Sequence, residues 1–290
     1  MASKVTRDEQ KITAAPAVVV KKTVSVPATR RVEPAGEPFS LLEFVASGRA
    51  RLPRQYRDQR AFFRFLRKAC SDKVIVDQVQ RFRDAVILSA ISAEKHEKRP
   101  TGGLTIAVAG PSGGEGASFV ATMLALSLGS CKNRRIAVLD GNFDSQRFRA
   151  MTDVLDLSKN SVSLNKGSSQ ILGFYNESQP NLYFLKSASN ESDLDFFSDK
   201  QLRFFLSDLR QQFDFTIIDM PALLNGSSGI FLAPAVDRLY LVSSAGRTKK
   251  SEVDRCVDIA RQAGAEISGV IVNQQKTPLW SKAFFKDFFY

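Results

Sequence analysis

The residues with the most chemistry in their spacing lie between Leu104 and Ala121: Leu-Thr-Ile-Ala-Val-Ala-Gly-Pro-Ser-Gly-Gly-Glu-Gly-Ala-Ser-Phe-Val-Ala. An apolar run, a glycine-rich turn and a helix-forming segment follow one another, which is the layout of a P-loop. Such a turn closes backbone N–H groups around phosphate oxygens, and the helix N-terminus adds the positive end of its dipole. A P-loop ends G-K-[ST]. Gly116 and Ser118 meet that pattern, but Ala117 stands where the lysine belongs. The missing ammonium would reach the β- and γ-phosphates and offset charge on the transferring group. The sequence keeps the cradle and loses its cation.

Two acids share the chemistry. Asp140 ends the apolar run Ile136-Ala-Val-Leu-Asp, and Asp219 ends Phe215-Thr-Ile-Ile-Asp. A carboxylate at a strand end beside a phosphate cradle can hold Mg²⁺, together with the Ser118 hydroxyl, or orient an attacking group. Either acid alone could equally well cap a helix or face solvent.

The elements that must position these groups alternate. Strands are expected at 104–109, 136–140, 181–185, 215–219, 238–242 and 267–272. Helices are expected at about 117–129, 145–154, 199–212 and 250–263, with a weakly patterned loop before residue 181. Short apolar runs alternating with helices imply an α/β fold, a doubly wound and mostly parallel sheet covered on both faces. Ligands of such sheets bind at the C-terminal ends of the strands, where the turns 110–118, 140–144 and 219–226 fall.

The 290 residues carry a net charge of +11, unevenly placed. Residues 1–100 hold 21 Lys/Arg and 11 Asp/Glu, a net of +10; the rest holds 20 and 19. The basic third is either a solvated tail or a surface for an anionic partner, such as a membrane face. Nucleic acid is not expected, because no recognition motif accompanies the charge. Residues 1–38 read as a disordered basic tail. Residues 39–100 read as a helical segment, with a short amphipathic helix at 39–49 and longer ones at 55–69 and 74–93. Residues 101–277 form the P-loop NTPase-like domain, and 278–290 a Phe-rich tail. The chain has three cysteines and one histidine, which argues against a disulfide framework and against histidine-based catalysis. The N-terminal residues lack a signal-peptide core and no run is long enough to span a bilayer, so a cytoplasmic location is expected.

Residues 104–273 resemble the bacterial tyrosine kinases (BY-kinases) of polysaccharide export, relatives of the MinD/ParA ATPases. The resemblance is carried by Phe213-Asp-Phe-Thr-Ile-Ile-Asp-Met-Pro, by Phe231-Leu-Ala-Pro-Ala-Val-Asp-Arg-Leu-Tyr-Leu-Val, by Arg247-Thr-Lys-Lys-Ser-Glu-Val and by Gly269-Val-Ile-Val-Asn. It implies that ATP or ADP with Mg²⁺ is the cofactor, weakened by the lost lysine. The implied nucleotide contacts are Gly113, Gly114, Glu115, Gly116, Ala117, Ser118, Phe119 and Asn273. The implied metal ligands are Ser118, Asp140 and Asp219, of which the two acids are remnants of the catalytic set.

Departures from the family pattern are as informative as the matches. The family's D-x-D-x-R reads Asp140-Gly-Asn142-Phe-Asp144, so one acid is an amide and the arginine is reversed in charge. The assembly motif E-x-x-R-x-x-R reads Asp77-Gln-Val-Gln80-Arg-Phe-Arg83. Where the family has a tyrosine-rich tail this chain has Ala283-Phe-Phe-Lys-Asp-Phe-Phe-Tyr290, leaving Tyr290 as the phosphoacceptor of that tail. The expectation is therefore a catalytically weak or inactive BY-kinase-like protein. It would regulate or scaffold capsule or exopolysaccharide assembly through a membrane polysaccharide co-polymerase of the chain-length-determinant type. It would be recruited to the inner membrane face and could form a homo-oligomer. One alternative is an active tyrosine autokinase with a cation from elsewhere, Arg247, Lys249 or Lys250. Another is a MinD/ParA-like positioning ATPase, against which Ser112 replaces the upstream lysine of that branch.

Overall fold

The structure, a computed structural model, describes residues 60–95, 102–131, 133–141, 161–165, 170–176, 179–187, 199–226 and 228–275. The expected tail 1–38, the helices at 39–49 and 145–154, Asn142, Asp144 and the tail 278–290 with Tyr290 lie outside those residues.

Two helices lead, α1 (Arg60–Ser71) and α2 (Lys73–Lys95). Asp72 separates them, and its carboxylate accepts the N–H groups of Val74 and Ile75, so it serves as the N-cap of α2. Then come β1 (Leu104–Ala109), α3 (Ala117–Gly129), β2 (Ile136–Asp140), β3 (Ser161–Asn165), β4 (Gln170–Asn176) and β5 (Gln179–Ser187). The chain continues through α4 (Asp199–Gln212), β6 (Phe215–Asp219), α5 (Ser228–Leu232), β7 (Arg238–Ser244), α6 (Lys250–Gln262) and β8 (Ile267–Asn273).

One sheet holds all eight strands in the order β3-β4-β5-β2-β6-β1-β7-β8. The six strands from β5 to β8 run parallel, while β3 and β4 are antiparallel additions at one edge. The mostly parallel, doubly wound α/β fold is thus present. The segment before residue 181, expected to be a loop, instead supplies β3 and β4. Their runs, Ser-Val-Ser-Leu-Asn and Gln-Ile-Leu-Gly-Phe-Tyr-Asn, are too polar or interrupted to announce strands; pairing onto β5 makes them so.

Alternation along the central strands sends side chains to two cores. Leu104, Ile106 and Val108 of β1 join Leu66, Val86, Met123, Leu124 and Leu128, so α1, α2 and α3 cover one face. Ala107 and Ala109 join Leu202, Leu206, Leu209, Cys256 and Ala260, so α4 and α6 cover the other. β1 is buried at all six positions, as expected of a strand covered on both sides. A buried leucine such as Leu124 is worth about 2–5 kcal/mol against alanine.

Candidate functional site

The glycine turn leaves the carboxyl end of β1 and enters α3. Gly113, Gly114 and Gly116 have φ of 96°, 86° and 92°. Gly116 is the most constrained of them. It caps α3 in the left-handed region, and a Cβ there would run into the Asn273 side-chain amide.

A carboxylate braces the turn from within. Glu115 is only 7% exposed; its oxygens accept the N–H groups of Ser112 at 3.1 Å and Gly113 at 2.8 Å. A carboxylate accepting backbone N–H bonds is a strong, charge-assisted brace. Asn273 Nδ2 donates to the Glu115 carbonyl at 2.9 Å. On the β6 side, the Leu223 and Leu224 N–H groups donate to the carbonyls of Gly110 and Pro111, at 3.0 and 2.9 Å. Asn225 Nδ2 donates to the Ser112 carbonyl.

The α6 side is tied in as well. Ser112 Oγ donates to Glu252 at 3.1 Å, and Glu252 also accepts the Lys249 N–H at 2.8 Å. The Lys249 N–H, with Ser112 adding to it, holds the Glu252 carboxyl below its usual range. Burial, reinforced by the negative charges of Glu115 and Glu252, pushes the Cys256 thiol up to about 11, so it stays protonated beneath the loop.

Asp140 and Asp219 are register partners on β2 and β6, and Asp219 also pairs with Val108 of β1. The two acids therefore stand side by side at the sheet edge from which the glycine turn departs. Asp140 is buried and Asp219 half-buried. The Gly141 N–H donates to the Asp219 carbonyl at 2.8 Å.

Ala117 opens α3, with its methyl packed toward the α1–α3 core. The Phe119 ring packs on Phe65 with centroids 4.8 Å apart, so only its main chain could serve a ligand. The Asn273 amide braces the turn rather than pointing away from it. Of the three cations offered by the sequence, Arg247 lies against the turn. Its Nη2 is 3.7 Å from where a Cβ on Gly114 would stand. Lys250 instead pairs with Asp254 at 3.4 Å. Upstream on α2, Arg83 pairs with Asp84 at 2.8 Å, while Asp77 is exposed.

The residues present fit a magnesium nucleotide in kind. Mg²⁺ takes one or two carboxylates and leaves its other positions to water and phosphate. Asp140, Asp219 and the Ser118 hydroxyl are such a hard-oxygen set. Among the described residues no group of three or more His, Cys, Asp or Glu gathers as an all-protein metal site.

Sequence reasoning missed Glu252 and Asn225 as parts of this site. Glu252 supplies only half of a capping box at the start of α6, accepting the Lys249 N–H, and a lysine at the cap position hides it in the sequence. Nothing in the sequence links Glu252 to Ser112, 140 positions away.

No family model matches the chain. A curated protein, tyrosine-protein kinase ptk of Acinetobacter johnsonii, is 24% identical over 207 residues, 70% of this chain and 27% of that protein. Over that span the chain is similar in sequence to a bacterial tyrosine kinase. It spans about a quarter of the curated relative's length. Among solved structures, the kinase domain of Escherichia coli tyrosine kinase ETK matches with a TM-score of 0.53 and 16% identity, covering 70% of this chain and 78% of that one. The BceF tyrosine kinase domain matches with a TM-score of 0.52 and 18% identity, covering 68% and 76%. At those identities the structural matches speak for the fold.

Proposed function

We propose that this chain is a catalytically weak or inactive member of the BY-kinase kind that regulates or scaffolds exopolysaccharide or capsule assembly. It would act through a membrane polysaccharide co-polymerase. The observation that carries the reading is Ala117 at the first position of α3, below an otherwise intact glycine turn. Phosphoryl transfer depends on neutralising charge that develops on the phosphate oxygens, and losing one such group costs orders of magnitude in rate. Asn142 and Asp144, in place of an acid and an arginine, deepen the deficit. Nucleotide binding survives in this reading, because the backbone cradle does not depend on the lysine. The anionic inner membrane face is a second attraction for the basic N-terminal third.

The test is incubation with Mg-ATP, following released phosphate and phosphotyrosine. Negligible turnover is expected, and Ala117→Lys alone leaves the chain well short of full activity. Phosphotyrosine at Tyr290, formed at rates like those of intact kinases, would sink the reading. Affinity capture on the cytoplasmic segments of co-polymerases tests the partner; a chain that ignores them all is not their regulator. The active-autokinase alternative has one observation in its favour, the guanidinium of Arg247 beside Gly114, and the same turnover assay decides it.

A further inference from the structure

We infer that Arg247 replaces the lost P-loop lysine for binding a nucleotide's phosphates, while leaving its catalytic role unfilled. The inference rests on the nucleotide-binding part of the reading above and names the side chain that makes it work. Arg247 sits in the turn between β7 and α6, with Nη2 3.7 Å from the Cβ position of Gly114. Three contacts fix that turn. The Arg247 and Thr248 N–H groups donate to the Ser244 carbonyl at 3.1 and 2.9 Å, and the Ser244 N–H donates to Thr248 Oγ1 at 2.8 Å.

Two further links register the turn against the glycine loop. Ser112 Oγ reaches Glu252 in the first turn of α6. The Ala245 N–H donates to the carbonyl of Asn273, whose amide holds Glu115. The root of Arg247 is therefore held by the same network that shapes the cradle, while its side chain is exposed. Among the described residues it forms no ion pair. Glu115, Glu252, Asp140 and Asp219 make the surroundings acidic, so a phosphate entering the turn needs a counter-charge. A guanidinium supplies it with a planar fork that matches phosphate oxygens. The side chain is exposed and unclamped, so it can attract bound phosphate. It lacks the fixed position that transition-state stabilisation demands.

ATP binding to the full chain, measured by calorimetry with Mg²⁺, tests this. Wild type is expected to bind, Arg247→Ala to bind about tenfold more weakly, as for one lost charge-assisted hydrogen bond, and Arg247→Lys to fall between them. The double variant Ala117→Lys/Arg247→Ala is expected to regain the lost affinity, because the restored ammonium does the same work. The Arg247 variants should melt with wild type, since that side chain is exposed, whereas Ala117→Lys should melt somewhat lower, since the Ala117 methyl packs toward the α1–α3 core. The inference is overturned if Arg247→Ala binds as wild type, if the double variant stays as weak as Arg247→Ala, or if wild type binds no ATP. The last result would leave the inactive-kinase reading standing. ATP turnover by wild type would sink that reading and leave Arg247 as the phosphate cation.

Discussion

The two ends of the sheet treat polar groups in opposite ways. At the amino end, Asp237 accepts the Thr105 N–H at 2.7 Å and its hydroxyl at 2.5 Å, while Arg210 donates to both Asp237 oxygens, at 3.0 and 3.2 Å, to Thr105 Oγ1 and to the Ala235 carbonyl. The two side chains of the pair are only 13% and 12% exposed. Both charges of that pair are answered inside the chain. At the carboxyl end, Glu115 and Asn273 answer backbone groups of the glycine turn, Glu252 answers its Ser112 hydroxyl, and Arg247, which lies against the turn, keeps its side chain exposed. The difference separates a cluster that fixes the fold from a cluster that fixes a shape for something else to enter.

The sharpest way to break this comparison is at the amino end. Asp237→Ala leaves Arg210 buried without its partner and should cost about 3–5 kcal/mol, read as a large fall in denaturant midpoint. A loss under about 1 kcal/mol, the worth of an exposed ion pair, would mean that the cluster is ornamental. At the carboxyl end, Glu115→Ala strands two backbone N–H groups and should cost about 1–3 kcal/mol. It should weaken ATP binding as well, since the turn loses its brace. Gly116→Ala forces a left-handed residue against Asn273; about 1–2 kcal/mol is expected from the backbone alone. A variant as stable as wild type would show that the turn relaxes freely.

Smaller effects sharpen the picture. Glu252 has its folded-state pKa depressed, so its contribution is present above its unfolded value of 4.5 and disappears as pH falls through the lower folded value. Glu252→Gln should therefore lower stability near neutrality and flatten the profile below about pH 4.5, where variant and wild type converge. Thiol labelling should single out Cys131, which is partly exposed, before Cys70 and Cys256, which burial holds at about 12 and about 11. Smallest of all, Lys250→Ala should shift stability by less than about 0.5 kcal/mol, since its pair with Asp254 is an exposed helical one.

Much of the frame is legible in the sequence because local signals agree with the fold. The apolar run 104–109, the glycines after it and the acids at 140 and 219 all announce themselves. The β3–β4 pair does not, because its strands are created by pairing rather than by their own composition. The site is legible only in its local part. Sequence offers Arg247, Lys249 and Lys250 on equal terms, and only the packing of the β7–α6 turn against Gly114 tells them apart. The bond from Ser112 to Glu252 belongs to the same class, a consequence of tertiary approach with no local trace.

The strand order has a consequence for how the chain is made. β1 emerges early, yet both of its neighbours come more than a hundred residues later, with Leu104 opposite Phe215 and Ile106 opposite Arg238. Braces of the glycine turn come late as well, from Asn225, Glu252 and Asn273. Contacts so distant along the chain are slow to form, because loop closure comes before any gain. During synthesis, then, the central strand waits unpaired, and no nascent fragment shorter than about residue 273 carries a finished cradle. Nucleotide capture by ribosome-bound chains of increasing length should switch on abruptly once Asn273 has emerged rather than grow in steps.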